Sequence, residues 1–219
     1  MRVHFSKNPS VRPATSSPDS MDHALGFAER LMAHLSGKAR PFRLAEVFER
    51  LHEYEIAIVR RQAEAARRPT IRTVAVVVNW LSNGWLFLFG GLALWGYLGR
   101  NGLPMVLAAL LSVGIAHALY PWVKSYMARL RPMDRDGALE SLLKPLDRYS
   151  CPSGHCMTAA ALSLPIGFVM PGFAPALVAL LVLIGWARLA AAHHYPSDLV
   201  LGTLMGYGVA WPVSQLCLR

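Results

Sequence analysis

The chain has little charge. Asp, Glu, Lys and Arg make up 16% of its 219 residues against 54% hydrophobic residues, and the mean hydropathy is +0.34. The charge is also uneven. Lys and Arg number thirteen over residues 1–72 and nine over 73–219, while Asp and Glu number eight and five. From Thr73 onward the chain lacks the polar surface that a water-soluble core of this size needs, so it reads as an integral membrane protein. Cysteine is scarce as well. Three residues, Cys151, Cys156 and Cys217, argue against a disulfide framework, and the spacing of the first two is not a zinc pattern. They read as reduced packing residues. The first twenty residues lack the apolar stretch of a secretory signal peptide.

What is present divides the chain into three parts. Residues 1–20 are basic and rich in Pro and Ser, and are expected to be disordered. Residues 21–70 form an amphipathic helical arm. Leu25, Phe27, Leu31, Met32 and Leu35 recur at helical spacing over Asp22–Ser36. From Arg43 to about Arg67, Leu44, Val47, Phe48, Leu51, Ile58 and Val59 oppose Glu46, Glu49, Glu53, Arg60 and Arg61. That second helix is too charged to span a bilayer. It either lies on an anionic membrane surface or over a site, or it packs on the protein's own cytosolic face. Residues 71–219 hold five apolar stretches: Thr73–Leu98, Leu103–Val123, Gly154–Met170, Phe173–Ala190 and Leu199–Leu216. The expected fold is therefore all-α, an integral membrane helical bundle of about five transmembrane helices. Gly202 and Gly206 form a small-xxx-small pair for close helix packing, and Pro165 is expected to kink its helix.

Ionisable residues are costly at membrane depth, so their positions are informative. Here they gather at three places on one membrane face. In KSYMARLRP, Lys124 and Arg131 lie seven residues apart, on nearly one face if the helix continues. In CPSGHC, Ser153 is suited to cap a helix whose first N–H groups, with the positive end of its dipole, would form an anion site beside His155. In ARLAAAHHYPSD, Arg188, His194 and Asp198 join two apolar stretches. Singly, each has a plain structural explanation: cations reaching for head groups, an interfacial histidine, a helix-end hydrogen bond. Together they supply what is needed to hold a tetrahedral oxyanion and attack it.

Lys-x6-Arg-Pro, Pro-Ser-Gly-His and Arg-x5-His-x3-Asp, in that order, resemble the three-part signature of the type 2 phosphatidic acid phosphatases (PAP2). That superfamily also includes bacterial class A acid phosphatases, glucose-6-phosphatase and vanadium haloperoxidases. The resemblance covers about residues 75–216 and departs from the pattern at Ala187, where Ser is usual. It implies that His194 is a nucleophile forming a phosphohistidine, that Asp198 holds the proton on its other ring nitrogen, and that His155 is the acid and then the base. His193 is the rival nucleophile, displaced by about 100° on a helix. Lys124, Arg131 and Arg188 would clamp the phosphate oxygens, with Ser153 and the N–H of Gly154 completing the cradle. Three cations take the place a metal has in other phosphatases, so no metal and no cofactor are expected. His117, in mid-span, reads as a packing histidine, with a place in a substrate channel as the alternative.

The resemblance implies a membrane enzyme acting on a lipid phosphate: phosphatidate, phosphatidylglycerophosphate, or a polyprenyl phosphate or diphosphate. The alternatives are a lipid phosphotransferase with an alcohol acceptor and a non-catalytic sensor of phosphorylated lipid. The expected partners are the lipid substrate and the bilayer. No nucleic acid is expected, and homo-oligomerisation is left open. The positive-inside rule puts the basic arm and the 124–153 loop in the cytoplasm of a bacterial inner membrane, with the active face on that side.

Overall fold

The computed structural model describes residues 42–219, so the expectations for residues 1–20 and for a helix over Asp22–Ser36 lie outside the described residues. Every regular element described is helical. In chain order these are α1 (Phe42–Ala65), α2 (Pro69–Leu81), α3 (Trp85–Leu98), a 3-10 turn (Gly99–Gly102), α4 (Leu103–Met127), a single helical turn (Pro132–Arg135), α5 (Gly154–Val169), a second 3-10 turn (Pro171–Phe173), α6 (Ala174–Ala190) and α7 (Pro196–Cys217). Phe42–Arg219 form one compact unit.

The distribution of polarity is that of a membrane protein. Phe89 on α3, Leu110 on α4, Val182 on α6 and Leu204 on α7 are each 60 to 65% exposed, while Arg131, Arg188, His194 and Asp198 are buried. In water such an apolar exterior would be a large unprotected patch; against lipid tails it costs nothing. The stretches Trp85–Arg135 and Pro171–Ala190 are long and apolar enough to cross a bilayer, and α5 is a shorter apolar helix. α5 runs through Pro165 without ending.

The core is α4, α5 and α7 packed on one another. Glycine permits the closest approach. A Cβ on Gly202 would collide with the Ser153 carbonyl, and one on Gly206 with the Met157 carbonyl and Ala160 Cβ. The expected small-xxx-small pair thus seats α7 directly against the first two turns of α5, which carry Ser153–His155.

Two sequence expectations need correction. The first is the span Thr73–Leu98, which is two helices meeting at an elbow, Ser82–Gly84. Gly84 sits at φ 126, a conformation that residues with a Cβ resist. Asn79 and Asn83 at the elbow reach Arg188 and His155, so the elbow lies at the site end of the bundle and the expected span is not one continuous helix. Asn-Gly is a turn signal that a count of apolar residues passes over. The second concerns the helix holding Lys124 and Arg131, which does not continue: α4 stops at Met127, Ala128 turns left-handed at φ 42, and Arg131 is extended.

The charged helix, α1, packs on the protein itself. Its Ile56 and Val59 join Ala192 and Tyr195 in a buried cluster, Glu49 pairs with Arg135, Arg60 with Asp136, and Gln62 accepts from the Trp186 indole.

The α5–α7 contact yields a direct prediction. A Gly202→Ala protein purified in detergent should lose about 1–3 kcal/mol of stability, the usual cost of overpacking, read as a lower unfolding temperature. An unchanged unfolding temperature would contradict the close approach.

Candidate active site

One end of the bundle gathers the C-termini of α4 and α6, the N-termini of α5 and α7, and the α2–α3 elbow around a cavity of about 300 Å³. Of the eight residues the sequence singled out, Arg131, Gly154, His155, Arg188 and His194 line it, together with Asn83, His117, Tyr120, Asp147 and Thr158. Lys124, Ser153 and Asp198 stand immediately behind that wall.

His194 owes its direction to the turn after α6. Ala192 is left-handed at φ 54, so the next two side chains diverge. His193 turns to the loop, with Nε2 2.8 Å from the Leu143 carbonyl and 2.7 Å from Ser141 Oγ. His194 turns into the bundle and donates from Nδ1 to the Ser150 carbonyl at 2.7 Å. That bond fixes the tautomer and leaves Nε2 facing the cavity with no hydrogen bond among the described residues. Burial, reinforced by Arg188, Arg131 and Lys124, pushes the His194 pKa well below the ordinary imidazole value. The ring is therefore neutral at pH 7, as a nucleophilic nitrogen must be. His193 is pushed down to about 3 by burial and Arg188.

Asp198 has a different place from the one expected. It lies 3.8 Å from His194 Nδ1, behind the shorter Ser150 bond. The i+4 geometry fails because α7 begins only at Pro196, with Asp198 as its third residue. Its carboxylate closes a capping box by accepting the Tyr195 N–H at 2.8 Å. Its other oxygen accepts from Arg129 at 2.7 Å. Arg129 in turn donates to Glu55 of α1 at 2.7 Å and lies 3.9 Å over the Tyr195 ring. Glu55 accepts the Ser197 N–H at 2.6 Å, so α1 helps cap the helix that follows His194.

The cations are collected by a residue the sequence reading passed over. Asp147 accepts from Lys124 at 2.7 Å, from Tyr120 at 2.9 Å and from Arg131. It draws together two cations that the broken helix would separate. Burial works to raise the Asp147 pKa, but Lys124, Arg131 and Tyr120 outweigh it and hold it below the usual carboxylate value. Arg131 also donates to the His193 carbonyl at 2.7 Å. Arg188 donates to Asn79 at 2.6 Å, while its buried Nε has no partner among the described residues.

The start of α5 partly matches the expected cradle. Ser153 is the N-cap, and its buried Oγ is unpartnered. Its N–H, however, is committed to the Asp198 carbonyl at 2.9 Å. The helical ladder starts with Met157 N–H to the Ser153 carbonyl, so the N–H groups of Gly154 and His155 lie ahead of it, free for an anion. Gly154 gives room here, since a Cβ would sit 3.0 Å from the Tyr120 hydroxyl and push it back. His155 donates from Nε2 to Asn83 Oδ1 at 2.7 Å. His117 also departs from expectation. It is exposed at the cavity and bonded at 2.9 Å to Thr158, rather than packed in the core. Two guanidinium groups, a helix N-terminus and unpartnered donors make this end of the bundle an anion site with a neutral imidazole aimed into it.

Comparison with known proteins bears on the fold and the family. No curated protein matches the sequence. Among solved structures, LpxE of Aquifex aeolicus superposes with a TM-score of 0.64 at 21% identity, over 74% of this chain and 95% of that one. The first transmembrane PAP2 type phosphatidylglycerolphosphate phosphatase from Bacillus subtilis superposes with a TM-score of 0.60 at 19% identity, over 89% and 94%. The sequence profile of the PAP2 superfamily matches residues 103–218, more than half of the chain, and the protein belongs to that superfamily.

Proposed function

We propose that this protein is a membrane phosphatase that hydrolyses the phosphate ester of a lipid through a phosphohistidine on His194. The observation that carries this reading is the disposition of His194: neutral, locked through Nδ1 to the Ser150 carbonyl, with Nε2 open to a cavity walled by Arg131 and Arg188.

In this reading the phosphate displaces the Asp147 carboxylate and takes over its contacts with Lys124 and Arg131. Arg188, the Ser153 hydroxyl and the Gly154 N–H receive the remaining oxygens. His194 Nε2 attacks phosphorus, the bond to the alkoxide breaks, and His155, held as the imidazolium by the bound phosphate dianion, gives the alkoxide its Nδ1 proton. His155 then takes a proton from water, whose oxygen attacks the phosphohistidine and releases phosphate and His194. The guanidinium and ammonium groups stabilise the charge gathering on the equatorial oxygens, which is why we propose activity without a metal ion. The apolar exterior beside the cavity suits acyl or prenyl chains. We assign the active face to the cytoplasm, because Arg135, Lys144, Arg148 and the arginines of α1 lie at that end, against Arg100 and Arg219 at the other.

Changing His194, His155 or Arg188 to Ala should each lower turnover by about 100-fold or more. The assay is phosphate release by the detergent-purified protein across phosphatidate, phosphatidylglycerophosphate and polyprenyl phosphates. Wild-type activity should persist in EDTA. A folded H194A protein with wild-type turnover would refute the nucleophile, and EDTA inactivation reversed by magnesium would refute metal independence.

Asp147 gives a second test. If substrate phosphate replaces its carboxylate between Lys124 and Arg131, Asp147→Asn removes the competitor while keeping the side-chain shape. Inorganic phosphate should then inhibit D147N at several-fold lower concentration than wild type. Weaker inhibition would mean that the carboxylate holds the clamp in shape rather than its place.

A further inference from the structure

The superfamily pattern starts at residue 103, yet two groups of the cavity are held by side chains that precede it. Asn79, fully buried near the end of α2, accepts from Arg188 at 2.6 Å. It also donates to the Ala187 carbonyl at 2.9 Å and to the Ala75 carbonyl of its own helix at 2.8 Å. One amide thus ties α2 to the last turn of α6 at the arginine itself. Four residues on, Asn83 accepts from His155 Nε2 at 2.7 Å. The elbow between them is internally braced: Ser82 Oγ donates to the Asn79 carbonyl at 3.0 Å, Asn83 N–H to the Trp80 carbonyl at 3.2 Å, and Gly84 takes the φ of 126 that lets α3 leave.

We infer that Asn83, carried on the Asn79-pinned elbow, is a positioning residue that sets the orientation and tautomer of His155. The inference rests on the phosphatase reading and assigns a role to a residue outside the superfamily match. An amide oxygen at Nε2 can only accept, so it holds a proton on that nitrogen and leaves Nδ1 as the atom that exchanges protons with the leaving group and water. A histidine at the first turn of a helix has several rotamers open to it. The Asn83 contact selects one that faces the cavity. Asn is suited to this because it is uncharged. A carboxylate at the same place would hold the imidazolium, favouring the acid step and impeding the later step in which His155 must accept a proton.

That contrast supplies the test. The other charged and titratable groups facing His155 are Arg188 on α6, Lys124, His117 and Tyr120 on α4, Arg131 and Asp147 in the loop, and His193 and His194 before α7. All are unchanged in variants of Asn83. The pH dependence of kcat/KM would be measured on phosphatidate in detergent micelles for wild type, Asn83→Ala and Asn83→Asp. With His155 acting as the acid, the rate falls as pH rises past the point where it loses its proton. In N83D that basic limb should move to higher pH by about one unit, the size of shift a neighbouring carboxylate produces. N83A should lower kcat by about 10-fold with KM changed far less, and N83D should recover part of that loss in kcat/KM on the alkaline side. Side-chain NMR of histidine-labelled protein gives a readout independent of activity: the His155 ring should keep its proton to higher pH in N83D. Superimposable pH profiles and titrations for N83D and wild type would overturn the inference. So would N83A and N83D proteins that are folded and equally impaired, with no displaced limb. Absence of phosphatase activity from wild type would instead sink the underlying reading, and the His155 titration would still decide whether Asn83 acts on that ring.

Discussion

Three cations buried at one end of an apolar bundle repel one another and have lost most of their hydration. The fold answers this by giving each a partner that leaves one side open. Lys124 and Arg131 share the Asp147 carboxylate, Arg131 also has the His193 carbonyl, and Arg188 has the Asn79 amide. Paired entirely to carboxylates, such cations would have little left for a ligand; unpaired, they would be too costly to bury. With the Asp147 carbonyl for Arg131 and the Tyr120 hydroxyl for Lys124 added, the three cations still share a single carboxylate, and their other partners are neutral. That excess of positive charge suits the cavity to the phosphate we propose for it.

The same economy orders the elements around it. His194 is aimed by a left-handed residue and a backbone carbonyl, His155 by an amide, and Asp198 by the helix it caps. Charge is kept one layer back, where Arg129 joins Asp198 to Glu55 of α1. The charged amphipathic helix is therefore neither lipid-bound along its inner face nor separate from the body. It is a strap across the ends of α6 and α7, and its Glu55 contacts the N-terminus of the helix that follows His194.

Much of this was legible in the sequence, for identifiable reasons. Apolar runs report helices that meet lipid, and α4 to α7 fall close to where those runs predict. The three polar clusters are conspicuous because ionisable residues in apolar sequence have few explanations. What escaped was the geometry between clusters. Spacing on an ideal helix suggested that Lys124 and Arg131 share a face, and that Asp198 reaches His194 from one turn away. Neither geometry survives the end of the helix, at Met127 and before Pro196. Asp147, Asn79 and Asn83 lie in no recognised cluster. The Asn-Gly pair inside an apolar run was a signal, a weak one because hydropathy averages it away, and nothing in the sequence sets Asp147 apart from Asp134, Asp136 and Glu140 in the same loop.

The most direct test of the account is to trap the phosphorylated enzyme. Purified protein would be mixed with radiolabelled phosphatidate in detergent micelles, quenched in alkali within the first turnovers, and mapped by peptide mass spectrometry. Nucleophilic attack by His194 predicts an acid-labile, alkali-stable phosphoryl group on that residue, absent from H194A. Steady hydrolysis with no such adduct, or with the label on His155 or His193, would contradict it.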